Sequence, residues 1–283
     1  MILVESVADL RAAVAQCRGR RERVGFVPTM GNLHAGHVLL IQEARRRAAA
    51  VVASIYVNPL QFGEGEDFAG YPRTPDQDRA ALEAQGVRIL FMPKDREVYP
   101  RGTSAQTTVE VPHLSDVLCG HFRPGHFRGV STVVNRLFNL VQPDIAVFGK
   151  KDYQQWLIVK TMVADLGMPV EIVGVDTVRD SDGLALSSRN AYLTPAERRS
   201  APKLYASLRA AAEQLEKSAR IDMEIETSVM AELTGAGFKP EYVAVRRQED
   251  LATPSETDRQ LVVLAAAWLG RTRLIDSVEV GRP

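Results

Sequence analysis

The chain has 283 residues, 45% of them hydrophobic, and its 35 Lys and Arg are balanced by 35 Asp and Glu. That length suits one large domain with a smaller one, and the apolar share is enough for a substantial core. A net charge of zero excludes a long-range field for a nucleic-acid backbone or an anionic membrane and leaves room only for local basic pockets.

The two cysteines, Cys17 and Cys119, have no CxxC neighbour and cannot make a disulfide framework; we read them as free thiols of a reducing compartment. The first residues carry Glu5 and Asp9 and no apolar core with a cleavage site, so they do not read as a signal peptide. No run approaches the roughly 18 apolar residues of a membrane span. The expectation is a soluble cytoplasmic protein without nucleic-acid or membrane partners.

In chain order, "RVGFVP" (23–28) reads as a buried strand, and "HVLLIQEARRRA" (37–48) as a helix with Val38, Ile41 and Ala44 on one side. "AVVASIYVNP" (50–59) is a second strand, stopped by Pro59. "TPDQDRAALEAQG" (74–86) has Thr74 as N-cap, Pro75 in the first turn and Gly86 as its stop. A strand follows at 87–93, a helix at 130–143, a strand at 144–149, a helix at 152–167 and a strand at 170–178. Alternating strands and helices with buried apolar strands predict an α/β fold: a Rossmann-like, doubly wound parallel sheet covered on both faces. Ligands of such sheets bind beyond the carboxyl ends of the strands, which points to the exits after residues 28 and 149.

The character changes near residue 180, and we draw domains at 1–178 and 179–283. "RDSDGLALSSRN" is a polar loop, then Thr194 and Glu197 form a capping box ahead of an Ala-rich helical stretch reaching about 216. Strands at 239–247, 260–270 and 272–280 complete a smaller C-terminal α+β domain, expected to act as a lid. No internal repeat and no low-complexity tract interrupts the chain.

"VPTMGNLHAGH" (27–37) places His34 and His37 three residues apart where a strand gives way to a helix. A helix N-terminus offers unpaired N–H groups and the positive end of a dipole, and two imidazoles add donors at the same spot. The set suits phosphate oxygens, above all where charge builds up in a transition state. The alternative is that one histidine caps the helix and the other is exposed without a role. A zinc site would need further ligands at supporting spacings, and the sequence offers none. Neither a G-x-S-x-G elbow nor a paired-carboxylate pattern is present, so no protein nucleophile is expected.

His-x-Gly-His after a first strand resembles the phosphate-binding signature of the nucleotidyltransferase superfamily. The longer string narrows this, together with "SIYVNPLQF" (54–62), "YPRTPDQD" (71–78), "RPGHFRGVSTVV" (123–134), "LVQPDIAVFGKKDYQQ" (140–155), "DGLALSSRNAYLT" (182–194) and "AAWLGRTRLID" (266–276). Over nearly its whole length the chain resembles the pantoate–β-alanine ligase (pantothenate synthetase) family.

The resemblance implies a reaction: pantoate and ATP give pantoyl adenylate and pyrophosphate, and the amine of β-alanine then displaces AMP. It implies Mg²⁺ arriving with ATP, no organic prosthetic group and a homodimer. It assigns His37, His34, Lys151 and Arg189 to catalysis. ATP would also meet Met30, Gly31, Gly149, Asp152, Val178, Leu186, Ser187 and Ser188. Asp152 either caps its helix or touches the Mg²⁺–ATP complex. Gln61 and Gln155 match the pantoate-binding glutamines, and Gln61 would also meet β-alanine. Asn58 would help with pantoate or cap the end of its strand, Gln154 would be structural, and His126 would border pantoate or lie exposed. Two departures from the family pattern stand out. Lys150 replaces a usual acid and is expected to be an exposed bystander beside Lys151; Ala35 follows His34 where an acid is common and is expected to face solvent.

Two rival readings exist: a dinucleotide-forming adenylyltransferase, and a non-catalytic nucleotide-binding module. The first would lack the glutamine pair and the C-terminal domain; the second would tolerate loss of His37, Lys151 or Arg189.

Overall fold

The structure is a computed structural model that describes residues 1–217, 221–222 and 224–282. Its elements run β1 (Ile2–Val4), α1 (Val7–Gly19), β2 (Val24–Thr29), α2 (Ala35–Arg47), β3 (Ala50–Ile55), α3 (Pro75–Ala84), β4 (Ile89–Phe91), α4 (Asp95–Val98), α5 (Cys119–Phe122), α6 (His126–Val141), β5 (Ile145–Gly149), α7 (Tyr153–Asp165) and β6 (Glu171–Val175). After these come α8 (Pro195–Ser200), α9 (Lys203–Lys217), α10 (Glu224–Gly235), β7 (Lys239–Arg247), β8 (Gln260–Leu269) and β9 (Thr272–Gly281). The chain divides into two compact units, 1–149 with 158–175, and 150–157 with 176–283. The sequence reading draws a single boundary at 178/179; the structure instead groups the start of α7 with the second unit.

In the first unit six strands form one parallel sheet in the order β1-β4-β3-β2-β5-β6. From β2 the chain builds outward through β3 and β4, then returns to place β5 on the other side of β2. The reversal puts a topological switch point between β2 and β5, where doubly wound folds open a crevice. Alternate residues serve opposite faces of the sheet. Val27, Val51, Ala53, Leu90 and Val147 join Ile41 and Ala44 of α2 and Leu82 of α3 in one buried cluster. Phe26 and Phe148 meet Phe138 of α6 edge to face, at 6.3 Å between centroids in each case.

The second unit carries the antiparallel sheet β7-β8-β9. Leu261, Val263, Ala265 and Ala267 of β8 alternate onto the face covered by Leu204, Leu208 and Leu215 of α9 and Val229 and Leu233 of α10. Thr194 and Glu197 form the expected capping box of α8.

Several elements differ from the sequence reading. The strand β1, the helix α1 and the helix α10 were not anticipated. The buried face of α1 is Leu10, Ala13, Val14 and Cys17, spaced i, i+3, i+4 and i+7 behind the N-cap Ser6, a helical pattern that the sequence reading leaves unassigned. The helix expected from 130 starts at His126, preceded by Gly125 in the left-handed conformation. Thr74 occupies the N-cap position of α3, but its side chain makes no capping bond. No helix among the described residues is long and apolar enough to cross a membrane.

Candidate active site

Between Thr29 and Ala35 the chain must turn from β2 into α2. Gly31 and Asn32 both take positive φ, +83° and +52°. A Cβ on Gly31 would lie 3.0 Å from Asp78 Oδ2 and 3.1 Å from Ile55 Cγ2, so glycine is required here twice over, by conformation and by space. Gly31 N donates to Thr29 Oγ1 at 3.2 Å, Asn32 N to Asp78 Oδ2 at 2.9 Å and Leu33 N to Asp78 Oδ1 at 2.7 Å.

His34 is the N-cap of α2. Its Nδ1 accepts from Gly36 N at 3.1 Å, while His37 Nδ1 accepts from His34 N at 3.2 Å. The two imidazoles close a reciprocal capping box, with ring centroids 4.2 Å apart. A ring nitrogen that accepts a hydrogen bond carries no proton, so in the neutral rings both protons sit on Nε2. The sequence reading offered backbone N–H groups and imidazoles to one anion, with capping as the alternative. The structure separates these tasks. The amides of Gly31, Asn32, Leu33, His34 and Gly36 are bonded within the turn, to Asp78 and to the cap. Capping through Nδ1 fixes the orientation of both imidazoles at the start of α2.

After β3, a short 3₁₀ turn, Pro59–Gln61, brings Gln61 into the interior of the first unit, 9% exposed. Gln61 Nε2 donates to Met30 Sδ at 3.1 Å, and Oε1 accepts from Asn58 Nδ2 at 3.2 Å. Thioether sulfur is a weak acceptor, so a ligand oxygen can readily displace it. Asn58 is 1% exposed and saturated: Nδ2 also donates to Gly129 O at 3.1 Å, and Oδ1 accepts from Tyr99 Oη at 2.8 Å and Leu60 N at 3.3 Å. Asn58 caps the 3₁₀ turn through Leu60 N, and its amide also braces Gln61. Burial pushes the Tyr99 phenol well above its ordinary value, so the hydroxyl keeps the proton it donates. Gly129 is indispensable to this arrangement: a Cβ there would sit 2.1 Å from Leu60 O.

His126 is half-buried, not exposed. Its Nδ1 lies 2.7 Å from Gln61 O, and its Nε2 lies 3.1 Å from Arg123 Nη1. A carbonyl can only accept and a guanidinium can only donate, so the ring is neutral with its proton on Nδ1. Arg123 is held in turn by Glu66, through Nε at 2.7 Å and Nη2 at 2.6 Å. Met30, Asn58, Gln61 and His126 thus form one connected set. Tyr99 and Arg123, which the sequence reading assigned no role, support it.

In the second unit Lys150–Asp152 form a 3₁₀ turn leading into α7. Lys151 Nζ is 3.8 Å from Asp152 Oδ2, and the lysine side chain is 19% exposed. Lys150 corrects its expectation: it is not an exposed bystander but pairs with Glu279 Oε2 at 2.7 Å and Asp176 Oδ1 at 3.4 Å, 5.5 Å from the centre of the Trp156 ring. Burial opposes its charge, but the two carboxylates outweigh that and raise its pKa above the ordinary lysine value. Gln154 is buried, whereas Gln155 is half-buried.

The "DGLALSSRN" segment is more ordered than a solvated loop. Leu186 N bonds Val178 O at 2.9 Å, and Arg179 and Ala185 form a bridge. Ser187 Oγ accepts from Arg189 N at 3.3 Å and caps a 3₁₀ turn over Ser188–Tyr192. Ser187, Ser188 and Arg189 are all half-buried.

Among the described residues no cluster of three His, Cys, Asp or Glu side chains could hold a metal ion. Asp152 beside Lys151 is a single carboxylate. That donor set fits contact with a Mg²⁺ carried by triphosphate, which keeps most of its ligands from phosphate and water, and does not fit a resident metal.

Comparison with known proteins narrows what this geometry serves. Residues 2–279 match the family model described as pantoate-beta-alanine ligase. The chain is 56% identical over 276 residues to a pantothenate synthetase of Shewanella amazonensis, covering 98% of each chain. It is 54% identical over 278 residues to one of Pseudomonas putida, covering 98% of this chain and 97% of the other. Its fold superposes on the crystal structure of pantothenate synthetase from Thermus thermophilus with a TM-score of 0.92 at 48% identity, covering both chains fully. It also superposes on a Francisella tularensis pantoate-beta-alanine ligase, solved with a β,γ-ATP ligand and β-alanine, with a TM-score of 0.81 at 31% identity, covering 98% and 97% of the two chains. The chain belongs to the pantoate–β-alanine ligase family.

Proposed function

We propose that this chain condenses pantoate with β-alanine at the expense of ATP, through a pantoyl adenylate, with the residue roles that follow. The observation that supports the residue-level reading is the reciprocal cap of His34 and His37, which holds the two imidazoles together, ring centroids 4.2 Å apart, at the start of α2. The pantoate carboxylate attacks the α-phosphorus of ATP and pyrophosphate leaves; no protein nucleophile takes part. The imidazoles donate to phosphate oxygens as charge develops. Lys151, Arg189, Ser187 and Ser188 neutralise and clamp the triphosphate, with Met30, Gly31, Gly149, Val178 and Leu186 around the nucleotide and Asp152 near its Mg²⁺. Mg²⁺, when bound with ATP, supplies charge neutralisation on the phosphates.

Gln61 and Gln155 hold pantoate. The weak Met30 contact of Gln61 gives way to a pantoate oxygen, while Asn58 and His126 fix the glutamine from its amide and its carbonyl. In the second step the neutral amine of β-alanine, also met by Gln61, attacks the acyl carbon and AMP leaves. The assignment to a cytoplasmic homodimer rests on the family resemblance, and light scattering of the purified protein tests the dimer.

The test is isotope exchange with each substrate left out in turn. Labelled pyrophosphate should enter ATP with pantoate alone, and AMP with pantothenate should accumulate only when β-alanine is added. Exchange that needs β-alanine would remove the two-step mechanism. Absence of AMP release with all three substrates would remove the function.

A further inference from the structure

Asp78 has no part in that account, yet it is a buried charge at the centre of the loop that matters most. It lies on the first turn of α3, 2% exposed, and no cation among the described residues pairs with it. Both its oxygens are committed to the turn before His34, Oδ2 to Asn32 N at 2.9 Å and Oδ1 to Leu33 N at 2.7 Å. The same carboxylate stands against Gly31, where a Cβ would come within 3.0 Å of Oδ2.

Burying an unpaired carboxylate is costly, and an apolar side chain of similar volume usually serves stability as well or better. The early turn of α3 offsets part of that cost through its dipole. What a carboxylate supplies and an apolar group cannot is a fixed direction for two successive peptide N–H groups. The turn needs that constraint. It has two consecutive left-handed residues, one of them the non-glycine Asn32, and such backbone persists only where its surroundings over-determine it. Two residues further on, the same backbone supplies His34 N to the cap of His37.

We infer that Asp78 is a positioning residue for the phosphate chemistry: through Asn32 and Leu33 it sets the turn that aims His34 and His37. The inference rests on the reading that these imidazoles serve the phosphates of ATP. Asp78→Asn is nearly isosteric but turns one acceptor into a donor facing an N–H group. The turn then shifts, and both imidazoles shift with it.

The experiment is pyrophosphate exchange by the full chain with pantoate present, for wild type, Asp78→Asn, His37→Ala and the double variant, with thermal melting alongside. For Asp78→Asn the exchange kcat should fall roughly 10–100-fold, the scale of a misplacement of about 1 Å. The KM for pantoate should stay within about twofold, since Gln61 is held by separate contacts. The decisive readout is the double-mutant cycle: once His37 is absent, Asp78→Asn should cost several-fold less than it does in wild type, the remainder passing through His34. An equal loss in both backgrounds would show a general structural role and overturn the inference. Where the Asn variant is unfolded at the assay temperature, Asp78→Glu, which keeps the charge, takes its place in the cycle and is read the same way. A wild-type protein that exchanges no pyrophosphate refutes the reading of the imidazoles, and this inference with it; wild-type exchange with an additive cycle refutes the positioning role alone.

Discussion

Arg179 and Asp276 are joined by a bidentate ion pair, 2.6 Å from Nη1 to Oδ2 and 2.9 Å from Nη2 to Oδ1, although 97 residues separate them. Asp276 is 3% exposed, and the guanidinium stacks over Tyr205 at 3.6 Å from the ring centre. Arg179 Nη1 also donates to Gly183 O at 3.2 Å, so the pair anchors the hairpin that leads to Ser187–Arg189. Removing one partner of a buried pair strands the other. Arg179→Ala should therefore destabilise the protein by about 3–5 kcal/mol. Arg179→Lys should rescue little, because an ammonium reproduces neither the two-pronged bond nor the stack. Denaturant midpoints measure both, and a loss under about 1 kcal/mol for the alanine variant would show the pair to be dispensable.

Lys150 supplies the second prediction. Lys150→Glu would restore the acid usual in the family but set a third carboxylate against Glu279 and Asp176. The variant should melt lower than wild type, with the gap widest at low salt. Adding Glu279→Lys should recover most of the difference, because the charges are then exchanged and not merely lost. Turnover of Lys150→Glu should stay within a few-fold of wild type, in contrast to Lys151→Ala at roughly 10²-fold or more. Equal collapse of the two variants would mean that Lys150 acts on substrate.

Tyr99 tests the support of Gln61. Tyr99→Phe removes the hydroxyl that donates to Asn58 Oδ1 at 2.8 Å and leaves that oxygen with Leu60 N at 3.3 Å. Losing one such bond is worth about 1 kcal/mol, which corresponds to a rise of roughly fivefold in the KM for pantoate. The KM for ATP should not move. A change in ATP affinity with pantoate affinity intact would break the link from Tyr99 through Asn58 to Gln61.

Acid stability follows from Glu66. Burial pushes its carboxyl upward, but the hydrogen bonds and charge of Arg123, helped by Gly63 N–H, outweigh it and hold the group below the ordinary 4.5. A carboxylate lowered on folding stabilises the native state fully above its unfolded pKa. That contribution is lost as pH falls below about 4.5 and through the lowered folded value. Glu66→Gln should therefore lie below wild type in denaturant midpoint at neutral pH and converge with it in acid. A constant gap between about pH 3 and about pH 7 would assign the stabilisation to something other than this ion pair.

Local pattern made much of the molecule legible. The strands at 239–247, 260–269 and 272–281 stand within a residue of their expected ends, because short apolar, β-branched runs bounded by polar and glycine residues mark strands locally, the central one buried on both faces. The histidine pair was legible because its chemistry is contiguous: a strand, two glycines and a helix start lie within eleven residues. The helix α1 is written as plainly, in Leu10, Ala13, Val14 and Cys17 behind the cap of Ser6, although the sequence reading assigns that stretch no element.

By itself, the sequence determined the element types, the parallel sheet, the donors after β2 and the family. Only the tertiary structure decided how those donors are held. Asp78 reaches Asn32 across 46 residues, Arg179 reaches Asp276 across 97, and Lys150 reaches Glu279 across 129. The physical reason is range. Periodicity and capping act over one or two turns of chain and are written in adjacent letters, whereas the partner of a charge is set by which strand ends the sheet brings together. An aspartate in "TPDQD" reads as a helix-start acid until α3 is placed beside the turn of Gly31 and Asn32, and a lysine after "VFG" reads as exposed until β9 brings Glu279 to meet it.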